Sequence, residues 1–159
     1  MNSKRRSLLM GLMAITVVST TTPLMAMDTF TTSSGTQVKP EQQFKANVFW
    51  TSFRESVQRE DWSAVARMCS NPLVVRGTLD DDPIKRITGR NLPKVLQQQM
   101  NKPLFLGTGK MSRTPAALIR EMPVLTAENW LVSDQIRFHN MLFLKNRDGW
   151  KLVTIYDEE

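Results

Sequence analysis

Asp80, Asp81 and Asp82 stand in a row ahead of Pro83, and three adjacent carboxylates are the first place to look for a metal ion or a catalytic proton. Consecutive side chains of an extended stretch point to alternate sides, so the three cannot converge on one ion. Calcium loops space their acids at alternate positions around a glycine at the sharp bend, and that spacing is absent. Pro83 biases Asp82 toward extended geometry and aspartate favours turn starts, so the triplet predicts a solvated turn, with Arg76 placed to tie it to the end of the preceding strand. The run GTGK at 107–110 fails as a phosphate loop because its glycines have the wrong spacing and Met111 follows the lysine. One histidine, His139, and one cysteine, Cys69, do not make the usual zinc set, and no serine occupies a nucleophile elbow. Neither a metal nor a cofactor is expected.

The remaining chemistry lies in the C-terminal third, where WLVSDQIRFHNMLFLK and WKLVTIY read as two long strands joined by NRDG. Asp148 before Gly149 fits a three-residue loop with a left-handed glycine bulge. In that register Asn146 faces Trp150, Leu144 faces Leu152, Leu142 faces Thr154 and Asn140 faces Tyr156, and the same side continues through Phe138, Ile136 and Asp134. Asp134, Asn140, Thr154 and Tyr156 then stand as polar groups in an apolar cup that includes Trp150, Leu142, Leu144 and Leu152, the composition of a ligand site; the alternative for each residue is ordinary core. The opposite side carries Arg137, His139, Met141, Phe143, Lys145, Lys151, Val153 and Ile155, half apolar and so suited to sheet-to-sheet dimerisation. A four-residue loop without the bulge would exchange the faces and set His139 across from Tyr156. Trp50, Trp62, Trp130 and Trp150 lie in different elements, which makes core packing a better account of them than sugar stacking.

The elements that must position this hairpin follow from the rest of the chain. Lys4, Arg5 and Arg6, an apolar run from Leu8 to Val18 and a small residue at Ala26 have the layout of a cleavable secretory signal, too short to span a bilayer, so residues 1–26 predict export to the periplasm or beyond without a stable membrane anchor. Its removal leaves 18 basic against 15 acidic groups, a net charge of +3 rather than +6, which does not announce nucleic acid. Residues 27–39 are Thr- and Ser-rich and read as a flexible leader; 40–159 suit one domain. Ala46, Phe49, Trp50, Phe53 and Val57 fall on one helix face behind Pro40, and Asp61 caps a second helix carrying Val65, Met68 and Cys69, a buried, inert thiol. PLVVRG has strand character, Leu92, Val95, Leu96 and Met100 mark another helix, and Thr114–Pro115 opens a short one that stops before Pro123. Helices first and an antiparallel sheet last make an α+β architecture.

The helical opening FWTSFRESVQREDWSAVARMCSNPLVVRGTLDDDP together with the terminal DGWKLVTIY resembles the nuclear transport factor 2-like, or SnoaL-like, superfamily, over about Phe44 to Tyr156. The resemblance implies a cone-shaped, curved, mixed or antiparallel sheet wrapped around the helices, with a pocket inside, in a family that includes ketosteroid isomerases, scytalone dehydratases and many proteins that only bind. It implies a fold and leaves function to the site. Three readings follow. The first is an exported, non-enzymatic module that binds a small molecule or a partner protein through the pocket or the outer sheet face. The second is a pocket enzyme, an isomerase, dehydratase or hydrolase, with Asp134 as base and Tyr156 as hydrogen-bond donor, although the neutral acid of such sites is missing. The third is contact with an anionic envelope surface through Arg137, Lys145 and Lys151.

Overall fold

The structure, a computed structural model, describes residues 29–32, 34–79, 81–104 and 112–157. The export segment 1–26, Asp80 and the GTGK run lie outside the described residues. The chain is α+β: among the described residues, four α-helices pack against a curved six-stranded mixed sheet with a small antiparallel ribbon beside it.

Helix α1, Pro40–Gln58, starts where expected: proline occupies its first turn and the Gln42 side chain accepts from the Lys39 backbone N–H at 3.1 Å. Its Ala46, Trp50, Phe53 and Val57 are fully or almost fully buried, the three- and four-residue stripe of a core-facing helix. Asp61 caps α2, Trp62–Arg67, accepting from Ala64 N at 2.9 Å. That helix ends before Cys69, which opens strand β3 instead of riding on the helix. The thiol is buried and donates to Val65 O, and desolvation pushes its pKa up to about 12, so it is an inert core group as expected. Helix α3, Leu92–Asn101, buries Leu92, Leu96 and Met100, and α4, Pro115–Glu121, is capped by Thr114, whose hydroxyl accepts from Ala117 N.

The leader carries more structure than its composition predicts. Phe30–Thr31 (β1) pairs with Gln37–Val38 (β2) around Gly35 at φ +80°, a left-handed position suited to glycine. Val38 is fully buried, Phe30 meets Trp130 edge-on at 5.9 Å, and the Ser34 hydroxyl donates to Leu131 O. Two apolar anchors in thirteen residues are too sparse for a periodic signal, yet they fasten the ribbon to the domain.

The main sheet runs β4–β3–β8–β7–β6–β5, built from β3 (Cys69–Gly77), β4 (Ile84–Ile87), β5 (Trp130–Val132), β6 (Gln135–Phe138), β7 (Met141–Asn146) and β8 (Gly149–Asp157). All neighbours are antiparallel except β3 and β8, which run parallel. Helix α1 lies across β6 and β7. Trp50 tilts against Phe138 at 4.9 Å and Phe53 meets Phe143 edge-on at 5.3 Å, the offset geometries that aromatic quadrupoles favour. The Trp50 indole N–H donates to Met122 O at 2.9 Å and Arg54 Nε to Arg120 O at 3.1 Å, which fix α4 and the turn after it to α1. Replacing Phe53 by alanine should cost roughly 3–5 kcal/mol of unfolding free energy. The same change at Phe44, 59 % exposed on the opposite face of α1, should stay within roughly 0.5 kcal/mol. Urea unfolding of both variants measures the contrast.

Candidate functional site

The acid triplet resolves as a turn where it is described. The Asp82 carboxylate folds back to accept from Leu79 N at 2.7 Å, while Asp82 N donates to Leu79 O at 3.3 Å. Arg76 Nη2 reaches the same carbonyl at 3.5 Å, so the arginine is tied to the turn through backbone. Gly77 is required by this closure: a Cβ there would lie 1.9 Å from Asp82 Oδ2. Asp81 is exposed. Around the turn lies a cleft of about 300 Å³, lined by Arg76, Lys85, Asp82 and Asp157 among others. Charges of both signs line it, and among the described residues no group of three metal-ligating side chains converges.

The C-terminal strands differ from the expected pair of long strands. WLVSDQIRFHNMLFLK contains three strands separated by two-residue turns, Ser133–Asp134 and His139–Asn140. Phe138 pairs directly with Met141 and Ile136 with Phe143, so those side chains share the helix-facing side. A continuous strand would have set Phe138 and Met141 on opposite sides; each tight turn therefore inverts every later assignment. His139 takes φ +49°, a left-handed position that histidine visits more readily than most residues.

The last hairpin contains the expected left-handed Gly149, at φ +109°, but its loop has two residues, with Asn146 opposite Gly149, Lys145 opposite Trp150, Leu144 opposite Lys151 and Phe143 opposite Leu152. The Asn146 side chain accepts from Asp148 N at 2.9 Å and shapes the turn, an interaction that the glycine signal alone does not show. The extra residue sits further along, at Val153, beyond which Leu142 faces Thr154 as expected. The backbone N–H of Tyr156 donates to Asn140 O at 2.8 Å, and Asn140 Nδ2 donates to Tyr156 O at 2.9 Å.

These registers separate the proposed cup. Trp150 and Leu152 face the helices and are buried, together with Met141, Phe143 and Ile155, which sequence reasoning had put outside. Leu142, Leu144, Thr154 and Tyr156 lie on the outer face, half-buried. Asp134 is exposed at its turn. Asn140 is 3 % exposed, and its Oδ1 has no hydrogen-bond partner among the described residues, which costs about 1–3 kcal/mol. The inner side is filled by aromatic and aliphatic packing. Of the basic groups expected outside, Arg137 is there and Lys151 pairs with Leu144 on the same strand face, its Nζ donating to Arg67 O at 2.8 Å, whereas Lys145 lies on the helix side opposite Trp150.

The outer face is the feature that sequence reasoning missed in composition. Pairing places Ile84 and Arg86 of β4, Val74 and Arg76 of β3, Lys151, Thr154 and Tyr156 of β8, Leu142 and Leu144 of β7, and Gln135 and Arg137 of β6 on one surface. The Arg137 guanidinium stands 5.0 Å from the centre of the Tyr156 ring, a cation–π contact across strands. The strand residues on this surface include arginines and no acid. Its signal was present as turn chemistry: Ser-Asp and His-Asn are turn-favouring pairs inside a run otherwise read as strand.

Asp157 turns the other way, toward α3, where Lys102 Nζ bonds Oδ1 and Gln99 Nε2 approaches Oδ2 at 3.4 Å. Partial burial raises its pKa, but the Lys102 hydrogen bond and charge, aided by Gln99 and Lys85, outweigh that, and the net direction is down. Comparisons with protein-family models, curated proteins and solved structures returned no match for this chain.

A carboxylate whose pKa is lowered by folding adds stability above its ordinary value, and that contribution is lost as the pH falls through the lowered folded value. Lys102→Met should therefore cost about 1 kcal/mol at pH 7, with the gap to the parent closing as the pH drops below roughly 4. Chemical denaturation at a series of pH values checks this.

Proposed function

We propose that the chain is an exported, non-catalytic binding module with a nuclear transport factor 2-like fold, and that it holds an acidic partner protein on the outer face of its sheet. Export is supported by the basic start, apolar run and small residue of positions 1–26. The fold reading is supported by the order of elements, with two leading helices, a strand pair, two more helices and a closing meander, and by helices gathered on one side of a curved sheet.

The observation that carries the binding reading is the outer face itself. Val74, Leu142, Leu144 and Tyr156 form an apolar centre, and Arg86 and Arg137 stand at its edges among strand-face residues that include no acid. Apolar centres with charged surroundings are how protein interfaces are built, and arginine and tyrosine are enriched in them. A second copy of the same face would set arginines against arginines, so charge favours an acidic partner. The interior offers less: the helix side is packed with side chains, and the isomerase-type pairing loses its basis because Asp134 is exposed at a turn while Tyr156 lies on the outer face.

Purified protein should bind poly-L-glutamate, used as an acidic probe, at low salt, more weakly at physiological salt, and on the order of tenfold more weakly as Arg137→Glu. Isothermal calorimetry reads all three. Absence of binding at low salt, or an unchanged affinity in Arg137→Glu, would contradict the proposal. So would a dimer, detected by sedimentation, that Leu142→Arg dissolves, since the face would then serve a second copy.

A further inference from the structure

On the helix side of the sheet, where α1 passes the β7–β8 hairpin, an open groove of about 470 Å³ separates the two. That volume falls in the range of small-molecule sites. Its floor is apolar: Phe49 and Met68 are partly buried at the edge of the core, and Trp150 closes the wall at 5 % exposure. The Trp150 indole N–H is buried and has no acceptor among the described residues. Val48, 53 % exposed, forms part of the lining, and Phe44, 59 % exposed one turn earlier on α1, extends the apolar track outward.

The rim has the opposite character. Lys45, Lys145 and Lys151 all line the groove. Lys151 Nζ is held by a backbone carbonyl, at 2.8 Å from Arg67 O, which fixes its position and leaves its charge uncancelled. Two acids are close: Asp148 in the lining and Glu41, whose carboxylate is 2.6 Å from Lys45 Nζ. Three lysines against two acids leave a net positive rim above an apolar floor. Long lysine stems also extend the apolar surface while their ammonium groups stay in water.

An uncharged apolar molecule would leave the lysines unused, and an extended acidic peptide would find too little room for more than a side chain or two. A flexible chain ending in an anion uses both parts. We propose that this groove binds a free single-chain fatty acid, its tail along Phe49, Met68 and Trp150 and its carboxylate among Lys45, Lys145 and Lys151. The floor of the groove lies on the helix side of the sheet, with Lys151 reaching its rim from the strand edge, and the site does not depend on the acidic-partner reading.

The probe is dodecanoate, used below its micellar concentration and measured by isothermal calorimetry on the purified protein. One molecule should bind per chain. Dodecanol, with the same tail and no charge, should bind roughly tenfold more weakly, and Lys145→Glu should lose dodecanoate affinity by roughly the same factor. Glu41→Gln, which removes the competing carboxylate, should tighten binding. Quenching of tryptophan fluorescence by 11-bromoundecanoate should report the tail beside Trp150 and should fall in Val48→Arg, whose side chain would block the groove. The thermal midpoint of each variant without ligand separates loss of the site from loss of the fold. Equal binding of dodecanoate and dodecanol, no change in Lys145→Glu, or binding to phosphatidylglycerol vesicles without binding to monomeric dodecanoate would overturn the proposal.

Discussion

The contact on which the rest of the structure depends is the aromatic packing of α1 across β6 and β7. Trp50 and Phe53 on the helix meet Phe138 and Phe143 on the sheet at centroid distances of 4.9–6.0 Å, and all four rings are essentially removed from water. Each such side chain contributes on the order of 1.5–3 kcal/mol by burial alone, with further gains from edge-to-face geometry. This cluster decides which side of β6 and β7 faces the helices. Once Phe138 and Phe143 point inward, Arg137, Leu142 and Leu144 must point outward, and the pairing carries that choice to β8 and β3.

From that constraint the two surfaces with binding character follow. The outer face receives the alternate residues of strands whose inner residues fill the core, so it is aliphatic where β3, β7 and β8 pass and cationic where Arg76, Arg86 and Arg137 fall. The groove beside Trp150 arises at the end of the same helix–sheet contact, where α1 continues past the hairpin and Phe49 marks the last shared ring. Polar closure does the remaining work at the edges. Asp82 seals the β3–β4 turn over Gly77, and Asp157 anchors the end of β8 to α3 through Lys102.

Much of the fold was legible because its signals are local and strong. Pro40, Asp61 and Thr114–Pro115 start helices by supplying a first-turn residue or a cap, and the buried stripe of α1 repeats every three or four residues. The turn at Asp81 and Asp82 was legible for the same reason, since the bond from Leu79 N to the Asp82 carboxylate closes within four residues. The site was much less legible, because it depends on strand parity, and parity is counted through turns. Ser133–Asp134 and His139–Asn140 each add a reversal that apolar content hides, and an extra residue at Val153 restores the expected Leu142–Thr154 pairing after the hairpin loop had shifted it. Small errors of count moved Met141, Phe143 and Ile155 from outside to core and moved Tyr156 out of the cup. The leader was missed for another reason: Phe30 and Ser34 are held by contacts with the distant β5 region, Phe30 against Trp130 and Ser34 to Leu131, that no local pattern encodes.

The central claim is that β7 and β8 present Leu142, Leu144 and Tyr156 to the outside and Met141, Phe143 and Ile155 to the helices. Hydroxyl-radical footprinting of the folded protein, read residue by residue by mass spectrometry, addresses it directly. Leu142, Leu144 and Tyr156 should be labelled, while Met141 and Phe143, at 0 % and 1 % exposure, should be protected until the protein is unfolded. Protection of Tyr156 and Leu142 with labelling of Met141 in the folded state would reverse the faces and contradict both the register and the surface built on it.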